Sequence, residues 1–293
     1  MSPLPTRWQL LDVLEQYSLR ALKPHVDELF RSSVGIYSKS AVSDDELPVG
    51  ASKFGGSPDL PFDEPWPESR FGPVPFMAQI RCQDVAMHDA PGLLPQTGIL
   101  YFFLDFDAFM NYRNEDLPPD ARQQLARVLF VNDERASISR RPPPTDAPKH
   151  KPLRTTPLRF SSLMTIAPID APEFENLNLT LSEREEQKLF DFIDDLGQPP
   201  DLQMLGYTHS CHGDVRKQVV DELYCYGENW EITTHAPSNA EVRSLATDWQ
   251  PLLLKDWGGD NFFYEESQNC FLIRADDLKN HRFDRAGFVN QAT

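Results

Sequence analysis

Residues 209 to 214 hold the densest cluster of ligand-type side chains in the chain: His209, Cys211, His212 and Asp214. Zinc takes thiolate and imidazole readily, usually four ligands at tetrahedral geometry. On a strand, His209 and Cys211 share one face. The second pair of a structural site is not local, so Cys225, His235 or Cys270 would have to supply it across the fold. Without that pair the stretch reads as a polar turn, and no metal is expected. Cys211 beside the imidazole of His209 or His212 is also the raw material of an activated nucleophile. No third, orienting group can be named for it from the sequence.

A second candidate is a pair of carboxylates. Asp105 and Asp107 sit two apart where an apolar run ends, so on a strand they share a face. With Asp260 from the other half of the chain they would hold Mg²⁺ or Ca²⁺, or divide acid and base roles. The plain alternative is a strand end reaching solvent. Patterns for a Ca²⁺ loop, a phosphate loop, a dinucleotide fold or a zinc hydrolase are absent. Gly55-Gly56 lacks the lysine and spacing of a phosphate cradle and reads as architecture. Trp66, Tyr207 and Trp257 are the aromatic candidates for lining a groove that takes a peptide or small ligand. No cofactor is expected.

Lys53-Phe54-Gly55-Gly56-Ser57-Pro58-Asp59-Leu60-Pro61 opens the organising stretch. Its glycines permit left-handed backbone and its prolines exclude helix. Trp66 stands among prolines and is expected to pin this loop to the body. Residues 74 to 80 and 98 to 106 read as strands. The run Ile99 to Leu104 is apolar throughout, which predicts burial on both faces. Residues 6 to 31 read as helix, interrupted at Pro24. Residues 182 to 196 form the clearest helix: Ser182 and Glu185 make a capping box, and Leu189, Phe192 and Ile193 a stripe. The basic, proline-rich residues 140 to 157 predict an extended surface segment. Residues 128 to 131, 203 to 208, 223 to 226, 230 to 234, 249 to 254, 261 to 264 and 270 to 274 read as further strands.

Composition sets the class. The 293 residues are 40% hydrophobic and 25% charged, with 26 prolines and 19 phenylalanines, which suits a β-rich body with rigid loops. The formal net charge of −17 opposes nucleic acid and anionic membranes and suits a basic protein partner. No run is long enough to span a membrane, and the first residues carry no signal-peptide pattern. Four widely spaced cysteines in a chain of this size are expected to be reduced, which places the protein in the cytoplasm.

The two halves look loosely alike. Phe54-Gly55-Gly56 matches Leu205-Gly206-Tyr207, and Phe76-Met77-Ala78-Gln79 matches Leu252-Leu253-Leu254-Lys255. Gly98 to Phe103 matches Asn269 to Arg274 in the same order. The match leaves open both an ancient duplication into two β-rich lobes and a chance likeness of apolar strands.

The same residues resemble the bacterial DUF1963, or YwqG-like, family. The matching motifs are Gly55-Gly56-Ser57-Pro58-Asp59-Leu60-Pro61 with Trp66-Pro67, then Pro75 to Ile80, Leu94-Pro95 with Gly98 to Phe103, and Leu205-Gly206-Tyr207. Leu252-Leu253-Leu254, Trp257-Gly258-Gly259-Asp260 and Phe271-Leu272-Ile273 complete the set. Two departures stand out. Thr208 to His212 replaces the family's usual continuation of the Leu-Gly-Tyr turn, and Asn261 to Gln268 separates Asp260 from the final strand. The resemblance implies an α+β fold with mostly antiparallel sheet, and no activity.

The expectation is therefore a helical cap over 1–32 and an α+β domain over 33–293. Its repeat halves would be 50–135 and 200–285, joined by segment 140–197. The expected function is binding of a protein or small ligand, with a hydrolase or other enzyme using convergent carboxylates or a divalent metal as the alternative. Protein purified without chelator should carry no stoichiometric zinc. Elemental analysis finding about one zinc per chain, lost on changing Cys211 and His212, would reverse that expectation.

Overall fold

The computed structural model describes residues 4–111, 123–132, 137–145, 147, 153–177, 179–195, 200–208, 212–224, 237–255 and 267–292. In chain order the strands are β1 (Phe30–Ser38), β2 (Lys53–Phe54), β3 (Asp59–Pro61), β4 (Glu68–Ser69) and β5 (Gly72–Pro73). β6 (Phe76–Arg81), β7 (Ile99–Leu104), β8 (Ala126–Val131), β9 (Ile138–Arg140) and β10 (Thr156–Ile166) follow. The last four are β11 (Leu202–Met204), β12 (Trp249–Lys255), β13 (Ser267–Arg274) and β14 (Gly287–Ala292). Ten of them form one antiparallel sheet in the order β14-β13-β12-β11-β1-β10-β2-β6-β7-β8. β3 with β9, and β4 with β5, make two small ribbons. The fold is α+β and mostly antiparallel, with helices at the periphery.

Two separate β-rich lobes are not what the described residues form. The sheet is continuous through the long pair β1 and β10, which hydrogen-bond from Phe30↔Ile166 to Ser38↔Leu158. Beyond that pair the sheet curls. β7 and β13 lie near opposite ends of the strand order, yet Phe102 and Phe271 meet edge to face with centroids 5.3 Å apart. Phe109 packs on Phe288 at 5.0 Å and Phe130 on Phe283 at 5.0 Å. The concave face thus encloses one core shared by both arms.

The arms correspond in detail. The β6–β7 ladder is bulged between Phe76 and Ala78, leaving Met77 unpaired, and the β12–β13 ladder between Pro251 and Leu253, leaving Leu252 unpaired. Such bulges bend a strand and strengthen its twist. They set Phe102 against Ala78 and Phe271 against Leu253, so the two touching rings occupy equivalent places. Met77 corresponds to Leu252, one residue from the pairing that sequence likeness suggests. Gly55-Gly56 and Leu205-Gly206 are both left-handed pairs. β1 pairs with the second arm's β11, and β10 with the first arm's β2.

Three outer layers cover the convex face. The helices Arg7–Gln16, Val26–Leu29, Pro172–Asn176 and Glu183–Asp195 pack with Phe30, Ile166 and Tyr207. The helices Val215–Tyr224 and Asn239–Ala246 cover Trp249, Cys270 and Leu272. The loop carrying Trp66 covers Phe76, Tyr101 and Phe103. The capping box at Ser182 and Glu185 forms as expected, with Ser182 N–H donating to Glu185 Oε2 at 2.9 Å.

Several elements depart from the sequence reading. Leu223 is not in a strand: it lies in the helix Val215–Tyr224, where Val215, Val219 and Val220 turn one buried stripe to the sheet. Tyr224 is of a residue type that favours strand, but packing of the valine stripe overrides that weak preference. β10, the helix Asn239–Ala246 and β14 were not expected at all. Ser161, Ser162, Arg159 and Pro157 disguise β10, whose side chains are mostly only half buried. The expected strands at 230 to 234 and 261 to 264 lie outside the described residues.

Trp66 sits in an irregular stretch, half buried. Its indole N–H donates to Val74 O at 2.9 Å and its ring meets Phe103 at 5.5 Å. Trp66→Ala should therefore lower stability by about 2 kcal/mol, the cost of a partly buried ring and its hydrogen bond. Urea unfolding measures it, and an unchanged midpoint would show that the loop docks without the ring.

Candidate functional site

A cavity of about 980 Å³ opens where the first arm's loop 89–97 meets the second arm's turn at Leu205-Gly206 and its helix Ala275–Lys279. The start of β1, with Phe30, Arg31 and Ser32, lies between them. That volume falls in the range of small-molecule sites.

Loop 89–97 is rigid by construction. Pro91 and Pro95 fix φ, Gly92 is left-handed, and its N–H donates to Asp89 O at 3.0 Å. Asp89 Oδ2 accepts the Leu94 N–H at 2.6 Å, and Leu94 is buried in the shared core. Burial pushes the Asp89 carboxyl above its ordinary value, partly offset by the backbone N–H groups of Leu94, Leu93 and Gly92. Its Oδ1 is buried without a partner among the described residues.

The second wall depends on a strained turn. Leu205 has φ 61°, a region that costs a branched residue about 1 kcal/mol or more. Gly206 follows at φ 73°, and a Cβ there would lie 2.6 Å from Thr165 Oγ1. Side chains hold this geometry. Gln203 Nε2 donates to Leu205 O and Tyr207 O, both at 2.9 Å, and Tyr207 N–H donates to Thr165 Oγ1 at 2.9 Å.

Arg31 comes to the cavity fixed in place. Its Nη2 donates to Glu173 Oε1 at 2.8 Å, and its guanidinium lies 4.5 Å from the Tyr207 ring centroid. Glu173 takes a bidentate pair from Arg216, at 2.8 and 2.7 Å, and Arg216 also holds Asp214 at 2.6 Å. Burial alone would raise the Glu173 carboxyl. The Arg216 hydrogen bonds, with the charges of Arg216 and Arg31, outweigh it and hold the group below the usual range. Buried pairs of this kind stand only when both partners are present and satisfied.

The residues singled out in sequence fall in several places. Tyr207 is buried behind Arg31, and its hydroxyl donates to Glu28 O at 2.7 Å. Asp105 is buried and caps the helix Phe106–Asn111, accepting the Ala108 N–H at 2.9 Å, whereas Asp107 is exposed on that helix's first turn. Asp214 is the buried counter-ion of Arg216, and His212 is exposed. These two line a smaller depression of about 570 Å³ with Asp170 and Asp221. His209, Cys211, Trp257 and Asp260 lie outside the described residues, as do Cys225 and His235. Among the described residues, no group of three or more His, Cys, Asp or Glu side chains is placed to hold a metal ion.

Sequence reasoning passed over Arg31, Asp89 and the helix Ala275–Lys279. It also passed over a polar clamp in the first arm. Fully buried Lys53 pairs with Asp44 at 2.7 Å, and Asp59 accepts from Gly50 N–H, Gln79 Nε2 and Arg140. This clamp holds the Gly55-Gly56 turn, since Asp44 Oδ2 accepts the Ser57 N–H at 2.9 Å.

A ten-stranded, curled antiparallel sheet with peripheral helices and a cavity between its arms defines the class. The chain belongs to the family described as Domain of unknown function (DUF1963), which it matches over residues 52–291. No curated protein matches it. No described helix is long and apolar enough to cross a membrane.

Asp89 yields a sign-definite prediction. A carboxyl raised on folding stabilises most below its unfolded value, near 3.8, and loses that contribution as pH rises through the folded value. Asp89→Asn removes this loss. Its urea midpoint should exceed that of wild type at pH 7 and converge with it as the pH falls towards 4. A variant less stable at pH 7 would show that the charged carboxylate is what holds the loop.

Proposed function

We propose that this protein is a small-ligand-binding module whose site is the cavity between the two arms of its sheet. The observation that carries the reading is the cavity itself. Its walls come from both arms, and each is held rigid at a cost in backbone strain or buried polar groups: Asp89 under one loop, Leu205-Gly206 in the other. Strain of that kind gathers at ligand sites.

The corresponding bulges, left-handed pairs and touching phenylalanines support descent of the arms from one duplicated unit, with each first strand exchanged between the copies. On that reading the cavity is the seam of the duplication. The repeat halves then begin earlier than 50 and 200, at β1 and β10. Cys82 and Cys270 are buried and unpaired, which fits a reducing cytoplasm. Burial, with the nearby Asp84 charge, pushes the Cys82 thiol up to about 12. The acidic surplus suits encounter with a basic protein, and such a partner would read whether the cavity is filled.

Amide NMR on the labelled full chain tests the reading. In a screen of small apolar and amphipathic compounds, the signals of Gly92, Gly206 and Lys279 should move together. Shifts confined to other regions, or no shifts at millimolar compound, would contradict it.

A further inference from the structure

The chain is strongly acidic, yet its cavity is not. Arg31, Lys279 and His281 line it against one carboxylate, Asp276. Arg31 has a spare donor. Its Nη2 is committed to Glu173, its ring-stacking face to Tyr207, and its Nη1 reaches only Gln250 Oε1 at 3.4 Å. Lys279 makes no ion pair among the described residues, although Asp276 lies three residues before it on the same helix. Leu93, Leu94, Leu205 and Leu278 are among the apolar residues of the lining, with Phe30.

We propose that the ligand is an amphipathic monocarboxylate, its head group on Arg31 Nη1 and Lys279 and its apolar body against the four leucines. The proposal rests on the cavity's being a binding site. A preorganised guanidinium and an ammonium lining one cavity favour a carboxylate by charge-assisted hydrogen bonds. A single negative charge fits better than a phosphate dianion. Glu173 already neutralises part of Arg31, and Asp276 lines the same cavity on the helix that carries Lys279. A neutral amide of the same shape would leave the Nη1 and ammonium donors poorly paired, and an ammonium head would meet like charge.

Titration calorimetry on the full chain with octanoate, octanamide and octylammonium tests the head group at constant tail. Octanoate should bind tightest, by at least about tenfold over octanamide. Gln250→Glu places a competing carboxylate at Arg31 Nη1 and leaves the Glu173 pair in place; it should abolish that preference. Lys279→Met, at an exposed position, should weaken octanoate severalfold and serves if Gln250→Glu shifts the urea midpoint. Equal binding of octanoate and octanamide, a preference for octylammonium, or a preference for octanoate untouched by both substitutions overturns the carboxylate assignment while the cavity reading stands. Failure of all three compounds to bind overturns both.

Discussion

The edge-to-face contact of Phe102 on Phe271 joins the two arms of the sheet across the core. A ten-stranded sheet left open would expose a broad apolar face along its length. Curling it brings the two arms together, so that Val34, Phe54, Leu100 and Leu253 share one interior with both rings. Closing the arms on each other encloses the core, and where the connecting segments cannot meet it leaves the cavity between loop 89–97 and the Leu205-Gly206 turn. Position of the cavity and closure of the core are thus one geometric fact.

Curling requires bends, and the bends require unusual backbone. Bulges at Met77 and Leu252 turn the paired strands inward. Left-handed pairs at Gly55-Gly56 and Leu205-Gly206 end the short strands β2 and β11. Each is stabilised by side chains on the neighbouring strands and turns. In the first arm these are charged: Lys53, Asp44, Asp59 and Arg140. In the second, neutral Gln203, Thr165 and Ser33 serve directly, and the Arg216, Glu173 and Arg31 array stands behind Tyr207. Removing one member of either array would strand a buried polar partner, which costs far more than the pair gains over apolar residues.

Sequence patterning reached those elements whose burial is complete or whose caps are local. β7 is apolar at every position because Phe102 faces the shared core while Tyr101 and Phe103 face the Trp66 loop. The helix Glu183–Asp195 announces itself through Ser182, Glu185 and the stripe at Leu189 and Phe192. β10 stayed hidden because a central strand with serine and arginine on a half-covered face has no strong period, and its stability comes from its ladder to β1. The site was less legible. Pro91-Gly92 and Pro95 mark a rigid loop, but the contacts of Arg31 with Glu173 and Gln250 span 142 and 219 residues. No local pattern carries such pairings. Asp105, the carboxylate at a strand end, and Asp214, of the ligand-type cluster, are occupied as a helix cap and a counter-ion.

The two arms of the sheet close on each other through phenylalanines in equivalent places. A double-mutant cycle at Phe102 and Phe271, each changed to leucine, measures the contact in urea. Contact across the arms predicts a coupling of about 0.5 to 1.5 kcal/mol beyond the two single losses. Additivity within about 0.3 kcal/mol, as for distant sites, would contradict the closed sheet.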